Sequence, residues 1–430
     1  MPTCFTENRV VWNGYKMDKR GSRRMLIYNE ANGKVTALET GAFKVPFNGD
    51  FGFYVGEKEA ELQKCENGFA GSVDGVEFIL DFAEKADHVE LVIEIRNYSG
   101  EDITEPIGLH TGIDSYMVDY PQWHEPFFPT LLRCEKTHIW GYYMNTAENA
   151  LAFASMAPVA SYNINYNMFT EEDFGHRVTG TDIVFFQNTP LPQRHPQDLK
   201  VLRAGETYTN TIYWIPVERK EEIVPMIAKI AGVPMVQAQK YTCEKGEALH
   251  YTICCNDKVS CEIALPDGSI CSCEDFVFAE YGVYQLRVTA VNGKQAEATF
   301  CCRRDWDFYL QGAAKEALRK PQKASTHVEG FYGLFSMFLA AKYNNDEYLL
   351  KKAYECFHEI MPYMFDQEKI EPIVIPGRIQ NTALFISILV DIYELAPQEN
   401  QRYLELAAAF GDWIMTTQTE DGAYRNGKVH

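Results

Sequence analysis

Along its last third the chain alternates helical stretches that are apolar on nearly every side with stretches that are apolar on one side only. In STHVEGFYGLFSMFLAAKYNND, residues 325–346, Val328, Phe331, Tyr332, Leu334, Phe335, Met337, Phe338, Leu339 and Ala340 leave almost no polar face. A helix of that kind must be buried all round. Over residues 347–361 the apolar positions narrow to one stripe, Leu349, Leu350, Ala353, Tyr354, Phe357, Ile360 and Met361, with Lys351, Lys352, Glu355, His358 and Glu359 opposite. That pattern predicts a surface helix. The pair then recurs: residues 378–395 are apolar round most of the circumference, and residues 402–417 are one-sided, with Leu404, Ala407, Phe410, Trp413 and Ile414 on one face.

Buried, exposed, buried, exposed is the order an α/α toroid requires, with inner helices packed on both faces and outer helices on one. Steps of about fifty residues, from His327 to Arg378 and on to His430, fit repeated two-helix units. The inner helices then start at one mouth of the ring, where the polar clusters THVEG, PGRIQN and TEDGAYRNGKVH meet.

Ahead of the helices the apolar pattern alternates instead. In HVELVIEIRNYSGEDI, Val89, Leu91, Ile93 and Ile95 are interleaved with Glu90, Glu94 and Arg96 before a turn at 97–100, which marks a half-buried strand. Further strands are expected near residues 9–12, 52–55, 76–82, 138–143, 150–154, 181–187 and 207–216. With no long helix among them, residues 1–218 read as a large antiparallel β-sandwich. A linker at 219–234 holds a short amphipathic helix, and residues 235–304, with turns at LPDGS and VNGK, read as a small immunoglobulin-like β-sandwich. Helices begin near Trp306, so residues 305–430 form a partial α/α toroid of about two and a half hairpins, and the class is multidomain β plus α.

Composition narrows the partners. A chain of 430 residues, 46% apolar and 23% charged, folds into about two to four domains. Its net charge of -20 opposes binding to phosphate backbones, which depends on Lys and Arg, so nucleic acid and anionic membrane are set aside. The N-terminus lacks the basic-then-apolar order of a secretory signal, and the longest apolar run, ALFISILV, falls short of a membrane span. A cytoplasmic protein is expected. Eight of the twelve cysteines fall between Cys243 and Cys302, with adjacent pairs Cys254/Cys255 and Cys301/Cys302 and no C-x-x-C. Neighbours on a strand point to opposite faces, so reduced, half-buried thiols are expected, with no metal. Disulfides would go with export.

Two stretches inside the sandwich read as loops. GLHTGIDSYMVDYPQWHEPFFP, residues 108–129, gathers His110, Asp114, Asp119, Tyr120, Trp123, His124, Glu125, Phe127 and Phe128 among prolines, and SYNINYNMFTEEDFGHR, residues 161–177, is similarly polar and aromatic. Rings mixed with carboxylates and amides are how proteins grip sugars. A large loop packing on its own sheet has the same composition.

In this order of parts, and in strands such as VELVIEIRNYSGEDITEP and LRAGETYTNTIYW, the chain resembles carbohydrate-active enzymes in which a β-supersandwich precedes a six-hairpin toroid. Heparinase-type polysaccharide lyases use similar parts, commonly with the toroid first. The order therefore looks more like the glycoside hydrolases, including those acting on uronic acids. The resemblance implies an oligosaccharide substrate. No P-loop, dinucleotide fingerprint, G-x-S-x-G or H-E-x-x-H occurs, and no cofactor is expected.

Most glycosidases need two carboxyls across the bond they break. Glu329 and Asp421 are the catalytic candidates at the expected mouth. Glu329 also closes the capping box Thr326-x-x-Glu329, and Asp421 also fits a plain Asp-Gly turn in QTEDGAYR. His327, Tyr332, Arg378, Gln380, Asn381, Tyr424 and Arg425 would surround a sugar there, an Arg giving the paired hydrogen bonds a uronate carboxylate favours. Trp123, His124 and Glu125 are the sandwich's expected contribution. For a lyase, His327 or Tyr332 would remove the proton beside the carboxylate while Asn381 or an Arg neutralised it. A non-catalytic carbohydrate-binding or scaffold protein is a third reading. A six-hairpin ring needs roughly 300 residues against the 125 between 306 and 430, so a fragment of a longer enzyme is expected.

Overall fold

The structure, a computed structural model, describes residues 25–115, 126–167, 177–189, 199–320, 329–366, 368–372 and 379–425. Two compact units divide the chain, Met1–Cys302 and Arg303–His430.

The first unit is built on strict alternation. Val89–Asn97 buries Val89, Leu91, Ile93 and Ile95 and leaves the intervening side chains less enclosed. It lies within an 8-stranded antiparallel sheet that runs in the order Phe128–Cys134, Ile139–Met144, Ala150–Ser155, Thr207–Val217, Val89–Asn97, Val76–Glu84, Gly68–Val73, Gln63–Cys65. A 5-stranded sheet, Ser161–Asn167, Arg177–Phe186, Ile107–Thr111, Phe51–Val55, Lys58–Glu59, packs against it. Phe53 of one sheet stacks on Phe78 of the other, with ring centroids 4.8 Å apart and planes at 13°. Each such buried ring contributes about 1.5–3 kcal/mol through removal from water. A 3-stranded sheet, Leu26–Tyr28, Val35–Glu39 and Lys44–Pro46, adds Leu26, Val35, Leu38 and Val45 to the same core.

The large antiparallel sandwich expected from the sequence is therefore present, with two corrections. Residues 108–111 and 161–167, read as loop, belong to the strands Ile107–Thr111 and Ser161–Asn167. In SYNINYN the alternation of Tyr162, Ile164 and Tyr166 with asparagines is strand-like, but the asparagines resemble turn residues. The expected strand at 9–12 lies outside the described residues.

A helix, Ile223–Ala231, follows the sandwich and lays Ile223, Ile227, Ala228 and Ala231 on Trp140, Ala152, Ala154 and Ile215. It ends at Gly232, whose φ of +64° is a left-handed cap that glycine adopts without strain. Beyond it, a 5-stranded sheet in the order Thr242–Cys243, Gln295–Cys302, Gly282–Ala290, Val259–Ala264, Ile270–Ser272 and a 2-stranded sheet of Met235–Gln237 and Thr252–Cys254 form the small second β domain. Its core centres on Phe278, Tyr284, Leu286 and Phe300.

Polar contacts fasten the two β domains together. Glu135, buried, accepts the Glu297 amide at 3.0 Å and pairs with Arg133 at 2.7 Å. The Thr137 hydroxyl accepts the Gln295 amide at 3.0 Å, and Lys294 donates to the Met156 carbonyl. His138 lies fully buried beside this seam with Nδ1 2.9 Å from the Thr137 hydroxyl.

The second unit holds the helices Trp306–Arg319, Glu329–Asn344, Glu347–Met364, Ile379–Leu395 and Gln401–Met415. Glu329–Asn344 packs on Trp306–Arg319, Glu347–Met364 and Ile379–Leu395, and Ile379–Leu395 packs on Gln401–Met415. The one-sided helices behave as expected: Leu349, Ala353, Phe357 and Ile360 are buried in one, and Tyr403, Ala407, Phe410 and Trp413 in the other, where Tyr403 takes the place foreseen for Leu404. Complete burial of the other pair does not hold. Leu334, Met337, Phe338, Phe385, Ile388 and Leu389 are enclosed, but Phe335, Leu339, Leu384, Ile386 and Val390 remain half-buried. Among the described residues no helix is long and apolar enough to cross a membrane.

Between Asn344 and Glu347 the chain reverses through Asn345, at φ +53°, and Asp346, whose carboxylate accepts the Leu349 amide at 2.9 Å. Asp346 thereby satisfies one of the orphan amides of the helix start. Asp346→Ala is expected to cost about 1 kcal/mol, read as a lowered urea midpoint with an unchanged slope.

Candidate functional site

In the 5-stranded sheet Phe53, Leu109, Ile183 and Phe185 enter the core, so their strand neighbours Gly52, Tyr54, His110 and Asp182 lie on the other face. Register then decides which of them meet. His110 lies opposite Gly52 on one side and Asp182 on the other, and Asp182 lies opposite Asn163. Direct neighbours in an antiparallel pair have adjacent side chains. His110 Nδ1 is 2.7 Å from Asp182 Oδ1, and Asn165 Nδ2 donates to the same oxygen at 2.8 Å. Because the carboxylate is the acceptor for both, the Nδ1 position carries the proton. Nε2 is then the nitrogen left to work on another molecule.

Tyr54 stacks on the His110 ring, centroids 4.4 Å apart and planes at 25°. Gly108 makes room for it. A Cβ at Gly108 would lie 2.4 Å from the Tyr54 hydroxyl and 2.8 Å from the Ile183 carbonyl. Gly108→Ala is therefore expected to push Tyr54 off the imidazole and cost about 1–3 kcal/mol, as equilibrium unfolding would record.

On the core side the same strand ends are pinned. Thr111 Oγ1 donates to the Thr181 carbonyl at 2.9 Å, and the Tyr143 hydroxyl of the opposite sheet hydrogen-bonds Thr181 Oγ1. Burial pushes the Tyr143 phenol up to about 12, so it stays a neutral hydrogen-bonding group. The neighbours of both His110 and Asp182 are thus tied to the far sheet, which fixes the pair before any ligand arrives.

The electrostatics favour a charged imidazole. Burial pulls the His110 pKa down, but the hydrogen bond to Asp182 and the charges of Asp182, Glu59 and Asp50 outweigh it, and the group ends above its ordinary value of 6.5. Asp182 is 5% exposed and His110 about a quarter exposed. A carboxylate hidden beneath a reachable imidazole is an arrangement for moving a proton near neutral pH.

The residues foreseen in the helical unit fare differently. Asp421 is exposed in a tight turn, where the Thr419 hydroxyl and the Ala423 amide, at 3.3 Å, donate to its carboxylate. Those hydrogen bonds, Thr419 foremost, hold it below the usual carboxylate range. Tyr424 and Arg425 share the turn: Tyr424 pairs with Gln418, its hydroxyl donating to Met415 Sδ at 3.5 Å, and the Arg425 amide donates to the Thr417 carbonyl at 3.0 Å. The structure thus brings these three together through local bonding. Glu329 opens the helix Glu329–Asn344, and Tyr332 and Asn381 sit in their helices, but their side chains lie outside the described residues. His327, Arg378, Trp123, His124 and Glu125 also lie outside them.

Sequence reasoning noted His110 but did not single it out, and missed Tyr54 and Asp182. The available signal was TDIVFF, where Asp182 is the lone carboxylate in an apolar run. Among the described residues no three His, Cys, Asp or Glu side chains are placed to hold a metal, and the described cysteines are free thiols.

No protein-family model matches the sequence, and no curated protein matches it. By structure, the chain is similar to a solved protein described as a polysaccharide lyase, at 11% identity and a TM-score of 0.65, over 90% of this chain and 67% of that one. The two proteins share a fold.

Proposed function

We propose that this protein is a carbohydrate-active enzyme that cleaves uronic-acid-containing glycans by β-elimination. The observation that carries this is the shared fold with a polysaccharide lyase across 90% of the chain. That likeness supports elimination where the order of parts alone had favoured a hydrolase. The His110 dyad supports the same reading. With Nδ1–H held by Asp182, the Nε2 lone pair accepts the proton from the carbon beside the uronate carboxylate. The electron pair of that C–H bond becomes the new double bond, and the neighbouring glycosidic C–O bond breaks. The leaving oxygen takes up a proton, and the carboxylate of Asp182 stabilises the imidazolium formed.

Hydrolysis is the second reading, favoured by Asp421, an exposed carboxylate held ionised by its turn. A panel of glucuronide and plain hexoside oligosaccharides separates the readings. Elimination is expected to give an unsaturated product that absorbs in the ultraviolet. Reducing sugar without that absorbance would replace the lyase by a hydrolase, and binding without turnover would leave a carbohydrate-binding module.

A further inference from the structure

The small β domain pairs its cysteines in a way that the proposed chemistry does not use. Strand Val259–Ala264 lies antiparallel to Ile270–Ser272 with Ile263 opposite Cys271 and Glu262 opposite Ser272. One step further places Cys261 opposite Cys273. Both belong to the face that carries Ile263 into the domain core, where Cys273 is 8% exposed and Cys261 is half-buried. The Tyr251 hydroxyl donates to Cys273 Sγ at 3.3 Å, and Cys261 packs in the same core cluster as both groups. Opposed residues in antiparallel strands have Cα atoms about 4.5–5.5 Å apart, inside the span of about 4.4–6.8 Å that a disulfide bridges.

We propose that Cys261 and Cys273 are a redox modification site that closes to an intramolecular disulfide when the protein meets hydrogen peroxide. The Cys261 thiol gives up its proton as its sulfur attacks the peroxide oxygen, the O–O bond breaks, and the hydroxide released takes that proton and leaves as one water, with a sulfenic acid formed on Cys261. Cys273 sulfur then attacks the sulfenic sulfur, and the displaced hydroxide takes the thiol proton and departs as a second water. Two thiols are oxidised by two electrons and one peroxide is reduced. The geometry selects this pair over its neighbours. Cys271 faces Ile263, not a thiol, while Cys243 and Cys302, side by side on parallel strands, are 3% and 1% exposed and shielded from an oxidant. The product fastens an edge strand of the small sheet to its neighbour.

The test treats the whole chain with hydrogen peroxide under native conditions, blocks remaining thiols with N-ethylmaleimide and maps the peptides by mass spectrometry. The expected result is a peptide pair joined through Cys261 and Cys273, lighter by two hydrogens and free of maleimide. Maleimide on both residues, after a treatment that has oxidised the exposed Cys65 and Cys301, would overturn the proposal. So would a bond from either residue to any other cysteine. Cys261→Ser should leave Cys273 alkylated, and Cys271→Ser should leave the link intact. Oxidised wild type should melt several degrees above identically treated C261S, and equal melting temperatures would remove the stapling role.

Discussion

His110→Asn is expected to lower kcat/KM on a uronate-containing oligosaccharide by about 10²–10⁴-fold, the usual worth of a positioned proton-transfer group. The fold should survive, because His110 sits on the outer face of its sheet while Leu109 and Thr111 carry the inner contacts. The pH profile adds a sharper criterion. With its pKa above the ordinary 6.5, the imidazole is a free base only at correspondingly higher pH, so the acidic limb of kcat/KM should lie above that value. Asp182→Asn keeps an acceptor beside Nδ1 but removes the nearest of the charges that raise His110, and should move the limb to lower pH while reducing the rate. If H110N retained activity within a few-fold of wild type, proton transfer would belong to the helical unit, and Glu329 and Asp421 would be changed next.

Acid should unfold the first unit, and His138 should account for much of it. Burial foremost, then the positive charges of Lys294 and Arg133, depress its pKa from 6.5 to about 3 in the folded protein. Above pH 6.5 the group is neutral in both states and stability does not depend on it. As pH falls below that value the unfolded chain binds a proton that the folded chain refuses, so stability drops by about 1.4 kcal/mol per pH unit until the folded group titrates near pH 3. The whole loss is about 4–5 kcal/mol, a large part of the roughly 5–15 kcal/mol typical of a domain. His138→Gln keeps a polar group beside Thr137 and has nothing to titrate. Its unfolding free energy, measured from pH 7 down to pH 4, should be flatter than wild type by about one proton. Parallel profiles would show that other groups drive acid unfolding.

The fold was legible wherever the apolar period was clean. Val89, Leu91, Ile93 and Ile95 announced a strand, and the stripe through Ala353 and Phe357 announced a surface helix. Short strands containing glycine, histidine or asparagine were not legible, because IGLHT owes its conformation to the partners on either side and SYNINYN to the one strand it pairs with. The site hid for the same reason. His110 and Asp182 stand 72 residues apart in sequence and are joined by register, which no local pattern encodes. Tyr54 was invisible because its place depends on the missing side chain of Gly108.

Register also governs how this region can vary over evolution. On Ile107–Thr111 the dyad's imidazole and the core's Leu109 are adjacent residues facing opposite ways. Inserting or deleting one residue would exchange their tasks, sending a polar ring inward and an apolar chain outward. Chemistry and folding here cannot drift separately: lengths can change only beyond the strand ends, while within the strand Gly108 is held by Tyr54 and innovation is confined to substitution at position 110.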